Sequence, residues 1–264
     1  MSLRRFTPRS EKMLTLSGNI HIALTADKLY DDLACAMLGA AEQAVEESKV
    51  FHLALSGGLT PERFYMRLVT DPRFRALPWK QTHIWLADER CVPESDERSN
   101  IRMIRETLMD HVPTPKRCVH AIPVLAQDPA TAYEDELRQA LAGQEVSNGL
   151  PVLDFVLLGM GEDGHTASLF PHSPALTETN KWIMLNDGPA VALPPRVTMT
   201  YPLLNAARQV AVLVTGSRKK ETLQRVDQQL QETGPDVKNL PITGIDPSDP
   251  NGVLTWFLDT EAVE

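Results

Sequence analysis

Apolar residues along the chain alternate between short unbroken runs and longer stretches with a helical period. From Asp27 to Ser48 they fall at Leu29, Leu33, Met37, Ala41, Ala44 and Val45, one face of a helix whose start is acidic. Val50-Phe-His-Leu-Ala-Leu55 then reads as a buried strand that runs into Ser56-Gly57-Gly58. Thr60-Pro61-Glu62 predicts the next helix start, with Thr60 as N-cap, Pro61 at the first helical position and Glu62 in the positive first turn. The pattern recurs. A strand over His83–Ala87 ends on Asp88-Glu89-Arg90, and a helix is predicted over 99–109. Asp128-Pro129 caps another helix reaching Leu141, and a polar loop follows through Gly149-Leu-Pro151. Asp154–Leu158 is a further buried strand, ending on Gly159-Met-Gly161-Glu-Asp-Gly164-His165. Gln209–Val214 gives way to Thr215-Gly216-Ser217 and a helix to Glu232, and Val253–Leu258 reads as the last strand.

Strands apolar on both faces and separated by helices imply an α/β fold: a parallel central sheet covered by helices on both faces, with a small α/β subregion. No linker divides the chain, so residues 20–264 read as one domain. Residues 1–19 read as a poorly ordered tail. It carries Arg4, Arg5, Arg9 and Lys12 but no apolar segment of a secretory leader. In such sheets ligands bind beyond the carboxyl ends of the strands. The glycine turns and charged triplets of this sequence all fall at those ends, which points to a single site.

Composition narrows the classes. Among 264 residues, 26 Lys and Arg face 35 Asp and Glu, a formal net charge of −9. That balance, with no basic stripe interleaved by aromatics, argues against a nucleic-acid partner. No apolar run approaches the ~20 residues that span a bilayer, so no membrane partner is expected. Three cysteines (Cys35, Cys91 and Cys118) form no paired framework, which fits a reducing compartment, by default the cytoplasm. His111, Cys118 and His120 have no recognised ligand spacing, so no metal is expected. The other histidines, His165 apart, read as surface or core residues.

Ser56-Gly57-Gly58 before a helix start offers close backbone approach and free N–H groups to an anion, with Thr60 beside them. Gly159-Met-Gly161-Glu-Asp-Gly164 satisfies a dinucleotide pattern, but Glu162 and Asp163 would set two carboxylates against a pyrophosphate, and that reading is rejected. The acidic pair before His165 suits proton chemistry instead: an imidazole titrates near ~6.5 and a carboxylate can orient it. Asp88 and Arg90 supply a hydroxyl acceptor and a planar cation at another strand end. Arg196 and Lys219 are further cations whose sequence context alone leaves surface solvation equally open. No Gly-x-Ser-x-Gly elbow is present, so a serine esterase reading has no anchor.

Taken together, Ser56-Gly-Gly-Leu-Thr-Pro61, Asp88-Glu-Arg-Cys-Val-Pro93 with Ser99-Asn100, and Gly159-Met-Gly-Glu-Asp-Gly-His-Thr-Ala-Ser-Leu-Phe-Pro171 resemble the glucosamine-6-phosphate isomerase/6-phosphogluconolactonase family, on its lactonase side. Arg196-Val-Thr-Met-Thr200 and Gly216-Ser-Arg-Lys219 continue the match, which covers about residues 20–260. The resemblance implies a Rossmann-like fold of the isomerase/CoA-transferase type. It implies hydrolysis of 6-phospho-D-glucono-1,5-lactone in the oxidative pentose phosphate pathway, without a cofactor, by a monomer or homodimer. His165 is then the general base and Asp163 its orienting partner; Ser56, Gly57, Gly58, Thr60, Asp88, Arg90, Arg196 and Lys219 bind the substrate. The isomerases and deaminases of the family carry a carboxylate five residues after the histidine, where this chain has Phe170. Leu59 in place of a small polar residue, His172 in place of a glycine, and Ile242 after Pro241 depart from the lactonase pattern.

Overall fold

The computed structural model describes residues 14–142, 146–147, 150–247 and 252–264. The first thirteen residues of the expected tail, and 143–145 and 148–149 of the expected polar loop, lie outside the described residues. The chain opens with β1 (Asn19–Ala23), α1 (Ala26–Ser48), β2 (Phe51–Leu55), α2 (Leu59–Thr70), β3 (Thr82–Leu86) and β4 (Asp88–Arg90). It continues through α3 (Asn100–Thr107), β5 (Val119–His120), α4 (Pro129–Ala140), the short pair β6 (Val146–Ser147) and β7 (Leu150–Pro151), and β8 (Phe155–Gly159). Then follow β9 (Ile183–Asn186), β10 (Arg196–Met199), α5 (Tyr201–Asn205), β11 (Gln209–Val214), α6 (Lys220–Glu232), β12 (Val253–Asp259) and α7 (Thr260–Val263).

Seven strands form one sheet in the order β1-β12-β11-β8-β2-β3-β5, every pairing parallel. All five residues of β2 are buried, as are five of the six in β11. A strand can hide both faces only when helices cover both, which is the layered α/β arrangement that the apolar runs predict. From β2 the chain moves outward to β3 and β5; from β8 it moves the opposite way to β11 and β12. The adjacent pair β2 and β8, in register at Leu53–Phe155 and Ala54–Val156, is therefore the point where strand order reverses. The loops leaving its carboxyl ends diverge and leave a crevice.

Several local expectations change. α2 starts at Leu59, and its N-cap is Gly58 (φ 110°), not Thr60. A residue without Cβ enters that conformation without strain, so the helix begins earlier, and Pro61 still fits because first-turn N–H groups need no intrahelical partner. Asp128 caps α4 with its side chain, as read; Ser99, read as the first residue of a helix over 99–109, is instead the side-chain N-cap of α3, which ends at Thr107. Asp88-Glu89-Arg90 does not merely end β3: it forms β4 in a second, antiparallel sheet, β4-β10-β9. The later part of the expected tail is packed rather than loose. Leu16 is buried, Thr15 N–H donates to Asp227 Oδ1 at 2.6 Å, and Trp256 Nε1 donates to the Ser17 carbonyl at 2.9 Å.

Three histidines on neighbouring strands form a relay of ring contacts and hydrogen bonds, with His52 and His120 buried and His83 half-buried. Nδ1 of His120 bonds Glu136 Oε1 at 2.6 Å, and its Nε2 meets Nδ1 of His83 at 2.9 Å. The carboxylate needs a donor, so His120 carries its proton on Nδ1, and its Nε2 accepts from His83. Trp85 donates its indole N–H to Nδ1 of His52 at 3.1 Å and stacks on His120 at 3.7 Å between centroids. A proton added to His52 Nδ1 would set two donors face to face. Burial, with His83 and His120 adding to it, holds the His52 imidazole down to about 3. Burial lowers His83 in the same direction, with His120 and Arg117 contributing.

The unfolded chain binds protons at such sites below ~6.5 while the fold refuses them, so this stability is complete above that pH and drains away as pH falls toward the folded value. Replacing His52 with Asn keeps an acceptor for Trp85 and removes the titration. Between pH 7 and 5, chemical unfolding should show wild type losing about 2 kcal/mol more than His52→Asn. Parallel stability curves for the two proteins would refute the relay's role.

Candidate active site

A cavity of about 280 Å³ opens at the reversal point, walled by the segments that follow β2, β3, β8 and β11. Ser56, Gly57, Gly58, Thr60, Asp88, Arg90, His165 and Lys219 line it. Asp163 and Arg196, also expected in the site, do not line it and stand directly behind residues that do.

The glycine turn is shaped by its neighbours. A Cβ on Gly57 would lie 1.8 Å from Asn100 Oδ1, so no side chain fits there. Gly58 then turns the chain into α2, whose first N–H groups have no partner within the helix and stand at its positive end. Thr60 Oγ1 meets Thr215 Oγ1 at 3.2 Å, joining this turn to the segment after β11. There Gly216 (φ 85°) opens a 3-10 turn over Ser217–Lys219, so Lys219 precedes α6. Burial pushes the Lys219 ammonium down and Arg218 adds to this, against the pull of Glu162 and Asp163.

The loop after β8 is built to present one imidazole. Gly161 N–H donates to the His165 carbonyl at 2.8 Å, and Gly164 (φ 86°) returns the chain with its carbonyl bonded by Ile242 N–H at 2.9 Å. Inside that turn Asp163 Oδ1 accepts from His165 N–H at 3.1 Å and from His165 Nδ1 at 2.5 Å. With Nδ1 carrying the proton, Nε2 is left as the basic nitrogen. Burial works against the charged form of Asp163, but the hydrogen bonds and charge of His165 outweigh it and hold the carboxyl below its ordinary value. The ring packs against Phe170 at 4.6 Å between centroids. Two of the three glycines that mimic a dinucleotide pattern, Gly161 and Gly164, thus serve the His165–Asp163 pair.

In the second sheet Arg196 lies directly opposite Arg90, and Thr198 opposite Asp88. Burial lowers the Arg196 guanidinium, Arg90 adds to this, and its Cζ stands 5.8 Å from the Phe170 ring centre. Arg90 Nη1 donates to the Arg98 carbonyl at 2.6 Å. Glu89, between the two lining residues, points away from the cavity and is 1% exposed. Its carboxylate accepts from the N–H groups of Arg90, Asn100 and Ile101 and from Ser99 Oγ. Burial nevertheless raises its pKa, with Asp88 pushing the same way. Sequence reasoning missed Asn100, Thr215 and Arg218 as lining residues; the Ser99 cap is the one local signal that places Asn100 at a helix start. Among the described residues, no three His, Cys, Asp or Glu side chains converge as metal ligands would.

A Cβ on Gly161 would fall 2.2 Å from His165 Nδ1 and 2.5 Å from Asp163 Oδ1. Gly161→Ala should therefore part the pair at a stability cost of about 1–3 kcal/mol. The hydrogen-bonded Nδ1 proton of His165, assigned by its absence from His165→Asn, should vanish from the downfield proton NMR spectrum of a folded Gly161→Ala protein. Its persistence would contradict the tight-turn account.

The family described as glucosamine-6-phosphate isomerases/6-phosphogluconolactonase matches residues 24–256. A 6-phosphogluconolactonase of Synechocystis sp. is 39% identical over 225 residues, 84% of this chain and 87% of that one. The human protein named GDH/6PGL endoplasmic bifunctional protein is 38% identical over 243 residues, 91% of this chain but 30% of its own length. The chain thus spans about a third of the length of the bifunctional relatives it matches. The crystal structure of 6-phosphogluconolactonase from Leishmania guyanensis superposes with a TM-score of 0.76 at 30% identity, covering 94% of this chain and 98% of that one. A match across nearly the whole sheet, in sequence and in architecture alike, makes this chain a member of the glucosamine-6-phosphate isomerase/6-phosphogluconolactonase family.

Proposed function

We propose that this chain hydrolyses 6-phospho-D-glucono-1,5-lactone to 6-phospho-D-gluconate, the lactonase step of the oxidative pentose phosphate pathway. The observation that carries the reading is His165, held by Asp163 through Nδ1 while its ring lines the same cavity as the glycine turn and Lys219. The names of the similar proteins from Synechocystis and Leishmania support it. Phe170 supports lactone hydrolysis over sugar isomerisation, because an apolar ring packs on the imidazole where the isomerases carry their carboxylate. All three cysteines are free, in keeping with work in the cytoplasm.

In this reading the substrate phosphate docks on the Gly57-Gly58 backbone and the first turn of α2, with Lys219 and Arg90 supplying charge. Anchoring the far end of the substrate converts binding energy into orientation at C1. His165 takes a proton from water through Nε2 as the water oxygen bonds to the lactone carbonyl carbon. The tetrahedral intermediate then expels the ring oxygen, and the same imidazole returns the proton to it. Asp163 fixes the ring and balances its transient charge. Arg196, behind Arg90, adds positive potential where negative charge develops.

The test generates the phospholactone in place and follows its disappearance at fixed pH against spontaneous hydrolysis. Wild type should accelerate it, and His165→Ala should lose ~10²- to 10⁴-fold in turnover while binding 6-phosphogluconate within a few-fold of wild type. Equal losses in turnover and product binding would demote His165 to a binding or structural role. Lys219→Ala and Arg90→Ala should chiefly weaken phosphorylated ligands. Unaltered affinity in both would remove them from the phosphate site.

A further inference from the structure

Asp88 is held by more than its own strand. Its Oδ2 accepts a hydrogen bond from Ser168 Oγ at 2.6 Å, and Ser168 belongs to the loop that carries His165. Asn100, the first residue of α3, donates Nδ2 to the Asp88 carbonyl at 2.9 Å and to its Oδ1 at 3.3 Å. Asp88, Asn100 and Ser168 are 6%, 2% and 1% exposed.

Both donors are themselves fixed. Asn100 N–H is bound by Glu89 Oε1 at 2.8 Å, and Ile101 N–H by Oε2 at 2.8 Å, so the first turn of α3 hangs on a buried carboxylate. Ser168 N–H donates to Thr198 Oγ1 at 3.1 Å, and its carbonyl accepts Asn186 Nδ2 at 2.8 Å. Because the amide nitrogen of Asn100 is committed to Asp88, its Oδ1 faces the other way, and there it packs beneath Gly57 with no hydrogen-bond partner. One side chain therefore braces the carboxylate on one side and the glycine turn on the other. A carboxylate offers about four lone-pair positions. Two donors leave the remainder free on a residue that lines the cavity.

We propose that Asn100 and Ser168 are positioning residues that fix Asp88 as the reader of a substrate hydroxyl, so that sugar recognition is set jointly by α3 and the histidine loop. This rests on the cavity being the phospholactone site. A carboxylate on a free rotor would recover its orientation only at the moment of binding; the clamp sets that orientation in advance. An interaction made equally in the bound substrate and in the transition state affects KM more than kcat.

The deciding experiment compares wild type, Asn100→Ala and Ser168→Ala on the parent lactone and on its monodeoxy analogues, each made in place from the matching deoxy sugar phosphate. On the parent, each variant should lose about tenfold or more in kcat/KM, mainly through KM. On the one analogue that lacks the hydroxyl read by Asp88, Ser168→Ala should run level with wild type and Asn100→Ala should keep only the smaller loss that comes from the glycine turn it also braces, since the interaction both support is already gone. The two substitutions lie on different segments, so misfolding of one leaves the other decisive. Uniform losses across the parent and all analogues, or no loss on any, would overturn the clamp and leave a merely structural role. A wild-type protein inert on the parent lactone would overturn the functional reading, and this inference with it.

Discussion

Two parallel strands lie side by side at the centre of the sheet while the chain leaves them in opposite directions, and the site follows from that constraint. Wherever strand order runs one way, each loop crosses over its neighbour and fills the space above the strand ends. Between β2 and β8 the connections depart to opposite sides of the sheet, which leaves a crevice at the carboxyl ends. The sequence places a glycine turn on one side of that opening and the histidine loop on the other. β11 and β3, the next strands outward, bring Lys219 and the Asp88–Arg90 segment to its flanks.

Glycines do a different job in each wall. Gly57 is small because Asn100 occupies the space where its side chain would be, and Gly161 is small because the His165–Asp163 pair does. Gly58 and Gly216 instead supply positive φ, one to start α2 and one to set Lys219 in a 3-10 turn. The site is assembled by excluding side chains at two points and by bending the backbone at three others, Gly164 in the histidine loop being the third. A loop with the same charges but with Cβ atoms at 57 and 161 would separate the groups whose proximity gives them their chemistry.

The central sheet was legible because both faces of its strands are buried, and continuous apolar runs such as Gln209–Val214 have no other stable home. The second sheet was not. Asp88-Glu89-Arg90 is polar and three residues long, and it becomes a strand only because β10 pairs with it from more than a hundred residues away. The same holds for Arg196, whose relation to Arg90 is a register and not a motif. Thr60 misled as a cap because sequence rules favour a hydroxyl over a glycine, whereas here the backbone needed positive φ. The histidine relay was invisible for a similar reason. His52, His83 and His120 come together only through strand order, and each by itself reads as an ordinary core or surface residue. Of the site, the residues on contiguous motifs were legible, and the braces between motifs were not.

Those braces leave a mark in the polar bookkeeping of the fold. Ser56 Oγ, Arg90 Nε, Asn100 Oδ1 and Arg196 Nε are all buried without a hydrogen-bond partner, and all belong to the cavity wall or the strand behind it. An orphaned polar atom of this kind costs about 1–3 kcal/mol, and folds rarely tolerate several in one region. Here they stand beside a carboxylate and two guanidiniums in a chain whose net charge is −9. The acidity of the whole molecule therefore does not oppose the proposed phosphorylated substrate at this point, because Arg90, Arg218 and Lys219 outnumber the carboxylates of the local wall, which also holds unmet donors.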